Sequence, residues 1–183
     1  MTLREAVLFA GCLERAGANA VPGRSRGTRI ERIAESASLT DIVTGDRMLS
    51  DAFPIKTIDG VAWEVDGETD QAGDGASWVG DFVRDFRLSP ATFDKKRYLT
   101  QLRGYMGAVK RALAESGATE DEIAAFEKGA SAYAKKITAN FAHYEFWTGE
   151  SNHPDGMVVL LAYRDDDTPY FTFWQHGLQR HEN

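Results

Sequence analysis

Apolar residues recur at helical spacing through the middle of the chain and predict a long helix over residues 92–117. Gly117 is placed to end this helix, and Thr119 with Glu122 forms the capping-box pattern that opens a second one. The short connection predicts an antiparallel helical hairpin. The apolar positions are Tyr98, Leu99, Leu102, Tyr105, Met106, Val109 and Leu113 in the first helix and Ile123, Phe126, Ala130, Tyr133, Ile137 and Phe141 in the second.

Strand patterns flank the hairpin on both sides. Asp59-Gly60 separates two β-rich runs within residues 53–65 and predicts a tight turn. Alternation over residues 61–65 predicts a half-buried strand, and residues 66–81 read as a mobile loop in which Trp78 is exposed. Residues 156–175 predict two strands around an Asp-rich turn. The order β, β, helical hairpin, β, β indicates an α+β fold with a mostly antiparallel sheet.

Composition narrows the class of protein. The chain has 183 residues and a net charge of −7, which argues against sequence-independent nucleic-acid binding. No apolar run is long enough to span a bilayer. Cys12 is the only cysteine, so no disulfide within the chain is possible, as suits a reducing compartment. Residues 1–38 are basic and Gly/Pro-punctuated, which predicts a disordered, atypical extension before one domain over residues 39–183.

Three long segments resemble one family, the translationally controlled tumour protein (TCTP or fortilin) family. They are "DIVTGDRMLSDAFPIK" (41–56), "FRLSPATFDKKRYLTQLRGYMGAVKRAL" (86–113) and "ITANFAHYEFWTGESNHPDGMVVLLAYRDDDTPYFTFWQHGL" (137–178). The resemblance implies a β-tent core with a protruding helical hairpin, similar to Rab-binding chaperones and methionine sulfoxide reductase B. It also implies a cytoplasmic, cytoskeleton-associated, non-catalytic protein with many partners: tubulin, small GTPases and a translation elongation factor.

The chain departs from the family pattern in three places. Residues 36–39, "SASL", stand where the family has an apolar start, which should weaken the first strand. Arg47 occupies a position that is usually acidic. The loop between Val65 and Phe86 is short and lacks the family's N-terminal signature, so calcium and GTPase contacts assigned to that loop do not carry over.

A basic stripe on the first hairpin helix is the main candidate for partner binding. Lys96, Arg103 and Lys110 are seven residues apart and fall on one side of a helix. Such stripes are usually solvated helix faces. The resemblance places the tubulin-binding region on this helix, and tubulin surfaces are acidic. The predicted microtubule contact comprises Lys95, Lys96, Arg97, Arg103, Lys110 and Arg111.

The segment around residue 150 invites a catalytic interpretation because Glu150, His153 and Asp155 are close in sequence. No nucleophile accompanies them, and Pro154-Asp155-Gly156 is ordinary turn chemistry. The resemblance implies instead a sheet face that contacts a GTPase or translation factor. The residues predicted for this face are Met48, Leu49, Ser50, Asp51 and Glu150.

Two further readings complete the predictions. An acidic loop could bind calcium weakly, although it fails the EF-hand pattern, and its candidate ligands are Asp66, Glu68, Asp70 and Asp74. A β-tent enzyme of the methionine sulfoxide reductase type is the competing class. It would require a thiolate, and Cys12 lies outside the segments that carry the resemblance.

Overall fold

The computed structural model of the chain describes residues 36–68 and 77–181. This part contains nine strands and three α-helices. The strands are β1 Ser38–Asp41, β2 Arg47–Ser50, β3 Ile55–Ile58, β4 Ala62–Asp66, β5 Ser89–Ala91, β6 Glu145–Thr148, β7 Val158–Tyr163, β8 Pro169–Trp174 and β9 Leu178–His181. The helices are α1 Trp78–Asp85, α2 Lys95–Glu115 and α3 Glu120–Ala139.

The strands form two antiparallel sheets. Six strands pair in the order β3-β4-β8-β7-β6-β5, and three pair in the order β2-β1-β9. Asp59 and Gly60 adopt positive φ angles of 51° and 69° in the β3–β4 turn, as the hairpin prediction requires. The predicted α+β class with an antiparallel sheet is therefore confirmed, as is the strand pair within residues 156–175.

Both faces of the six-stranded sheet are covered, so the half-buried pattern predicted for β4 is wrong. Val65 is fully buried and Glu64 is only 7% exposed, although the two side chains point to opposite faces. The Val65 face carries Phe171, which stacks on Phe82 of α1. On the other face Glu64 accepts a hydrogen bond from Tyr133 of α3 at 3.3 Å. Burial on both sides removes the alternation that a solvated strand would show.

The two helix ends that the sequence predicts at Gly117 and Thr119 are present in the hairpin. Asp94 caps α2 by accepting a hydrogen bond from the Arg97 amide at 2.8 Å. Gly117 adopts a φ of 87°, and the Ala118 amide donates to Leu113 O at 3.0 Å, which is a Schellman ending. The capping box of Thr119 is present at the start of α3. No residue from 110 to 125 is buried, but Leu113, Gly117 and Glu122 line a cleft together with Asp59 and Val61 at the β3–β4 turn.

The predicted loop over residues 66–81 contains the start of a helix. Helix α1 begins at Trp78, and the Ser77 side chain caps it. Trp78 is partly buried, not exposed, because its ring stacks on Phe82 at 5.1 Å and meets Phe53 edge to face. Trp78, Phe82 and Phe86 recur at helical spacing, but the Gly- and Asp-rich run before them led the sequence interpretation to a loop that extended to residue 81.

The first strand forms despite the altered "SASL" start. Strand β1 pairs with β2 on one side and with β9 on the other, and Ala37 and Leu39 are buried. Most of the predicted extension, residues 1–35, lies outside the described residues, so its disorder stays a prediction. Among the described helices, none has the length and apolar character needed to cross a membrane.

Candidate partner-binding surfaces

Helix α2 presents its predicted basic stripe to solvent. Four buried side chains fix the rotation of the helix on the body of the protein: Tyr98, Leu102, Tyr105 and Val109. Lys96, Arg103 and Lys110 then lie outside the buried arc, and all three are exposed. We call these three residues the cationic flank.

The members of the cationic flank differ in how they are partnered. Lys110 forms an ion pair with Glu127 of α3 at 2.7 Å. Within residues 36–68 and 77–181, no ion pair engages Lys96 or Arg103. The same holds for two of the other predicted contacts, Lys95 and Arg111, which are also exposed. These four charges are therefore available to an external acidic group.

The last predicted contact residue has an aromatic partner. The Arg97 guanidinium carbon lies 5.3 Å from the centre of the Phe93 ring, which is a cation–π contact. This contact orients the side chain but leaves its charge uncompensated.

Helix α3 contributes basic residues that the sequence interpretation did not consider. Lys128 and Lys135 are seven residues apart and exposed, and neither forms an ion pair with another described residue. Their neighbour Lys136 pairs with Asp59 at 2.5 Å. The signal that could have found the two lysines is the same seven-residue spacing that identified the cationic flank.

The face predicted to contact a GTPase or translation factor is largely internal, so most of that prediction is wrong. Met48, Leu49 and Ser50 are at most 1% exposed, because β2 packs into the core. A partner cannot touch these side chains without displacing the strand. Asp51 remains partly exposed and pairs with Arg180 at 2.8 Å. Glu150 is exposed and pairs with Arg87, also at 2.8 Å. The predicted face therefore reduces to two carboxylates, both of which already have a cationic partner.

Two loops that border this face are tied together by Asp46. Its carboxylate accepts hydrogen bonds from the Ser151 hydroxyl at 2.6 Å and from the Ser151 amide at 3.2 Å. A Cβ at Gly149 would overlap the Asp46 side chain, so this close approach requires glycine. The segment around Glu150 is thus held against the turn that follows β1.

A buried carboxylate, Asp41, lies beneath these loops and was not singled out by the sequence interpretation. It is 1% exposed and accepts hydrogen bonds from the Tyr105 hydroxyl at 2.7 Å and the Thr44 hydroxyl at 2.9 Å. It also accepts from the backbone amides of Met157 at 3.1 Å and Val43 at 3.3 Å. We call this cluster the Asp41 junction. It joins β1, α2 and the start of β7.

The turn before β7 shows no catalytic arrangement. His153 and Asp155 are exposed, and the His153 ring nitrogen accepts from the Asp155 amide at 3.2 Å. The Gly156 amide donates to His153 O at 3.1 Å, which is the turn that Pro154-Asp155-Gly156 predicts. The carboxylate that accepts a hydrogen bond from the Met157 amide, at the entry to β7, is that of Asp41.

The calcium candidates are only partly described. Asp66 binds Arg164 at 2.6 Å and also pairs with Lys56. Burial raises the pKa of Asp66, but hydrogen bonds from the two cations outweigh burial and hold the pKa below its ordinary value. Glu68 is exposed, whereas Asp70 and Asp74 lie outside the described residues. In the part that the structure describes, no group of three or more His, Cys, Asp or Glu side chains could hold a metal ion.

Comparison with known proteins bears directly on this architecture. A family described as translationally controlled tumour protein matches residues 38–75 and 66–179 of the chain. The translationally-controlled tumor protein homolog of Alternaria alternata is 49% identical over 160 residues, which are 76% of this chain and 95% of that protein. The homolog of Neurospora crassa is 47% identical over 162 residues, with the same two coverages.

Solved structures agree with the sequence matches. The translationally controlled tumor-associated protein of Schizosaccharomyces pombe superimposes with a TM-score of 0.66 and 37% identity, covering 80% of this chain and 99% of that one. The protein of Caenorhabditis elegans, at 20% identity, supports the fold with a TM-score of 0.63 over 80% of this chain and 98% of that one. None of these four proteins is named as an enzyme. The chain belongs to the translationally controlled tumour protein family.

Proposed function

We propose that this chain is a non-catalytic binding protein that attaches to the acidic surface of tubulin through the cationic flank of α2 and thereby stabilises microtubules. One observation carries the proposal. In a chain of net charge −7, exposed cations collect on α2, and Lys96 and Arg103 lack an ion-pair partner among the described residues. An uncompensated positive surface on an acidic protein attracts an acidic partner.

The attraction expected here is electrostatic and modest for each charge. Exposed ion pairs contribute about 0.2–1 kcal/mol each, so several must act together to give useful affinity. Salt screens exposed charges over about 8 Å at physiological ionic strength. Binding that depends on the cationic flank should therefore weaken steeply as salt is added.

Microtubule co-sedimentation tests the proposal. Lys96→Glu with Arg103→Glu reverses the two unpaired charges of the cationic flank, and we expect affinity to fall about tenfold, because two ion pairs are replaced by two repulsions. The control is Arg84→Glu with Arg180→Glu, which alters net charge equally, lies outside the helical hairpin and replaces arginines that are already paired, with Asp81 and Asp51. Equal binding by the two double variants would overturn the assignment to α2.

A second candidate is a small-GTPase regulator or chaperone, or a translation-factor contact that supports protein synthesis, acting through Asp51 and Glu150. Its support is that Asp46 holds the Glu150 segment beside the turn that follows β1. A cationic partner would have to compete with Arg87 and Arg180 for these carboxylates. Arg87→Gln frees Glu150 and should strengthen capture of such a partner, whereas Glu150→Gln should weaken it. Unchanged capture by both variants would reject this face.

The calcium and reductase hypotheses have direct tests. Weak calcium binding should be lost in Asp66→Asn if that carboxylate exchanges its cationic partners for the metal; an unchanged calcium titration would exclude Asp66. A thiol-dependent reductase requires Cys12, the only cysteine. We expect no methionine sulfoxide reduction by the wild type, and turnover that disappears in Cys12→Ser would contradict a non-catalytic function.

A further inference from the structure

A shallow apolar groove runs between the two helices of the hairpin. Its volume is about 380 Å³. The apolar side chains that line it are Leu99, Leu102 and Met106 from α2 and Phe126, Ala130 and Ala134 from α3. Leu99 is 39% exposed, and in the described part of the chain Tyr163 is the other large hydrophobic side chain that is exposed. The groove therefore offers apolar surface that the described fold leaves open to solvent.

Small residues explain why the groove exists. Gly107 of α2 and Ala130, Ser131 and Ala134 of α3 all line the groove, and none of them has a side chain long enough to fill it. Larger residues at the same positions would interdigitate and close the seam, as ridges and grooves do in most helix pairs. Toward the tip of the hairpin, the Lys110–Glu127 ion pair bridges the two helices and bounds the groove.

Positive charge borders the groove on both sides. Arg103 lines the α2 side, and Lys96 lies seven residues before it on the same side of the helix. At 100° per residue, Lys128 and Lys135 lie beyond Ser131 on the α3 side. All four are exposed, and none is paired within residues 36–68 and 77–181. The lone carboxylate that lines the groove, Glu127, is neutralised by Lys110.

We propose that this groove binds an acidic amphipathic helix of a partner protein. The apolar stripe of such a helix would cover Leu99 and Met106, and carboxylates on either side of the stripe would meet the cations of α2 and α3. Binding to the acidic surface of a microtubule would need only the cations, whereas binding of this helix also needs the apolar side chains of the groove. The proposal shares Lys96 and Arg103 with the proposed tubulin contact but depends on a different feature of the hairpin.

Fluorescence anisotropy with three labelled peptides tests the proposal on the full-length protein. The probe is an 18-residue peptide with leucines at helical spacing i, i+3, i+4, i+7 and glutamates elsewhere. The second peptide has the same composition in scrambled order, and the third is polyglutamate of equal length. We expect the probe to bind at least tenfold more tightly than the other two. Equal affinity for the probe and either control peptide would overturn the proposal, because charge alone would then explain binding.

Two variants locate the binding surface. Leu99→Ser removes exposed apolar area without changing charge and should weaken the probe about fivefold. Tyr163→Ser is its matched control, since Tyr163 is 51% exposed but lies on β7, away from the hairpin. Lys128→Glu with Lys135→Glu should weaken the probe about tenfold, whereas Arg84→Glu with Arg180→Glu should not. Thermal melting establishes that each variant is folded. Wild-type affinity in Leu99→Ser would overturn the assignment to the groove.

Microtubule co-sedimentation separates this proposal from the previous one. Leu99→Ser leaves every charge of the cationic flank in place, so it should retain microtubule binding while binding the probe about fivefold more weakly. Both proposals would be supported if Lys96→Glu with Arg103→Glu loses microtubule binding and the peptides bind as expected above. Peptide binding by a protein that never pellets with microtubules would reject the tubulin proposal alone.

Discussion

Helix α2 has two charged environments on opposite faces, and they behave in opposite ways. On the buried face Tyr105 donates to Asp41, a carboxylate that receives four hydrogen bonds. On the exposed face Arg103 has no ion-pair partner among the described residues. The Asp41 charge is satisfied by hydrogen bonds inside the protein, whereas the Arg103 charge is available to a partner. The same helix thus supports the fold and offers a surface for partners.

The comparison indicates where substitutions should affect stability and where they should affect binding. Removing a buried carboxylate by substitution leaves several hydrogen-bond donors unsatisfied. Each unsatisfied donor lowers the free energy of unfolding by about 1–3 kcal/mol. An exposed cation that is removed leaves nothing unsatisfied. Variants of the Asp41 junction should therefore lower stability, and variants of the cationic flank should lower binding.

The largest expected effect is that of Asp41→Ala. The Tyr105 hydroxyl and the Met157 amide would both lose an acceptor in a buried place. We expect the free energy of unfolding to fall by about 3 kcal/mol, which corresponds to a fall in melting temperature of roughly 6–12 °C for a chain of this size. Thermal unfolding followed by circular dichroism measures it.

Asp41→Asn is the matched variant for this prediction. An amide keeps one acceptor oxygen but replaces the other with a donor, so about half of the loss is expected. A melting temperature within 2 °C of the wild type for Asp41→Ala would show that Asp41 is not the central support of this region.

Tyr105→Phe sharpens the comparison through its dependence on pH. Removing the hydroxyl should cost about 1–2 kcal/mol at pH 7, since Asp41 and Gly177 O both lose a donor. Burial, with the adjacent Asp41 charge, raises the pKa of Tyr105 well above its ordinary value. The folded phenol therefore keeps its proton at a pH where the unfolded phenol, with a pKa of about 10, has lost it.

The sign of the pH effect follows from that difference. Above pH 10 the unfolded state binds fewer protons than the folded state, so wild-type stability falls as pH rises. Phenylalanine does not titrate, and the stability difference between wild type and Tyr105→Phe should narrow above pH 10. Urea denaturation at pH 8, 10 and 11 measures this difference. A constant difference would show that Tyr105 ionises equally in both states.

The hairpin could be predicted from sequence because local residues determine it. Its period, its capping box at Thr119 and its ending at Gly117 all involve neighbours within six positions. Asp41 could not be predicted in the same way. Its partners Tyr105 and Met157 are 64 and 116 residues away along the chain. Only a charged residue followed by the turn sequence Thr44-Gly45-Asp46 hinted at a special role.

The prediction of a GTPase or translation-factor face on β2 was wrong for a related reason. The segment that holds Met48 and Leu49 matched the family pattern, but a sequence match does not show which side chains face solvent. Whether β2 lies at the surface depends on its pairing with β1 and on the core behind it, and both are set by distant residues. The basic stripe succeeded as a geometric prediction, since one helix fixes its own faces.

A smaller effect is expected at His176, beneath the hairpin. Its ring lies 4.9 Å from that of Phe126 on α3, and burial lowers its pKa. The unfolded imidazole gains a proton near pH 6.5 before the folded one does, so stability falls as pH falls below that value. His176→Gln should lose less stability than the wild type between pH 7 and pH 5.

The size of this difference is limited to roughly 0.5 kcal/mol, because the ring is half-buried and solvent screens its charge. Urea denaturation at the two pH values measures the difference. Parallel losses in both proteins would assign the acid sensitivity to other groups.

The smallest expected effect is the one that completes the comparison. Lys96→Gln with Arg103→Gln removes both unpaired charges of the cationic flank, and we expect the melting temperature to stay within about 2 °C of the wild type. Neither side chain supports another described residue, and the helix retains its Asp94 cap and its buried face. A fall comparable to that of Asp41→Ala would contradict the division of α2 into a structural face and a binding face. It would mean that these cations are needed for the fold, and loss of microtubule or peptide binding in their variants would then report unfolding. An unchanged melting temperature makes the binding losses attributable to the surface itself.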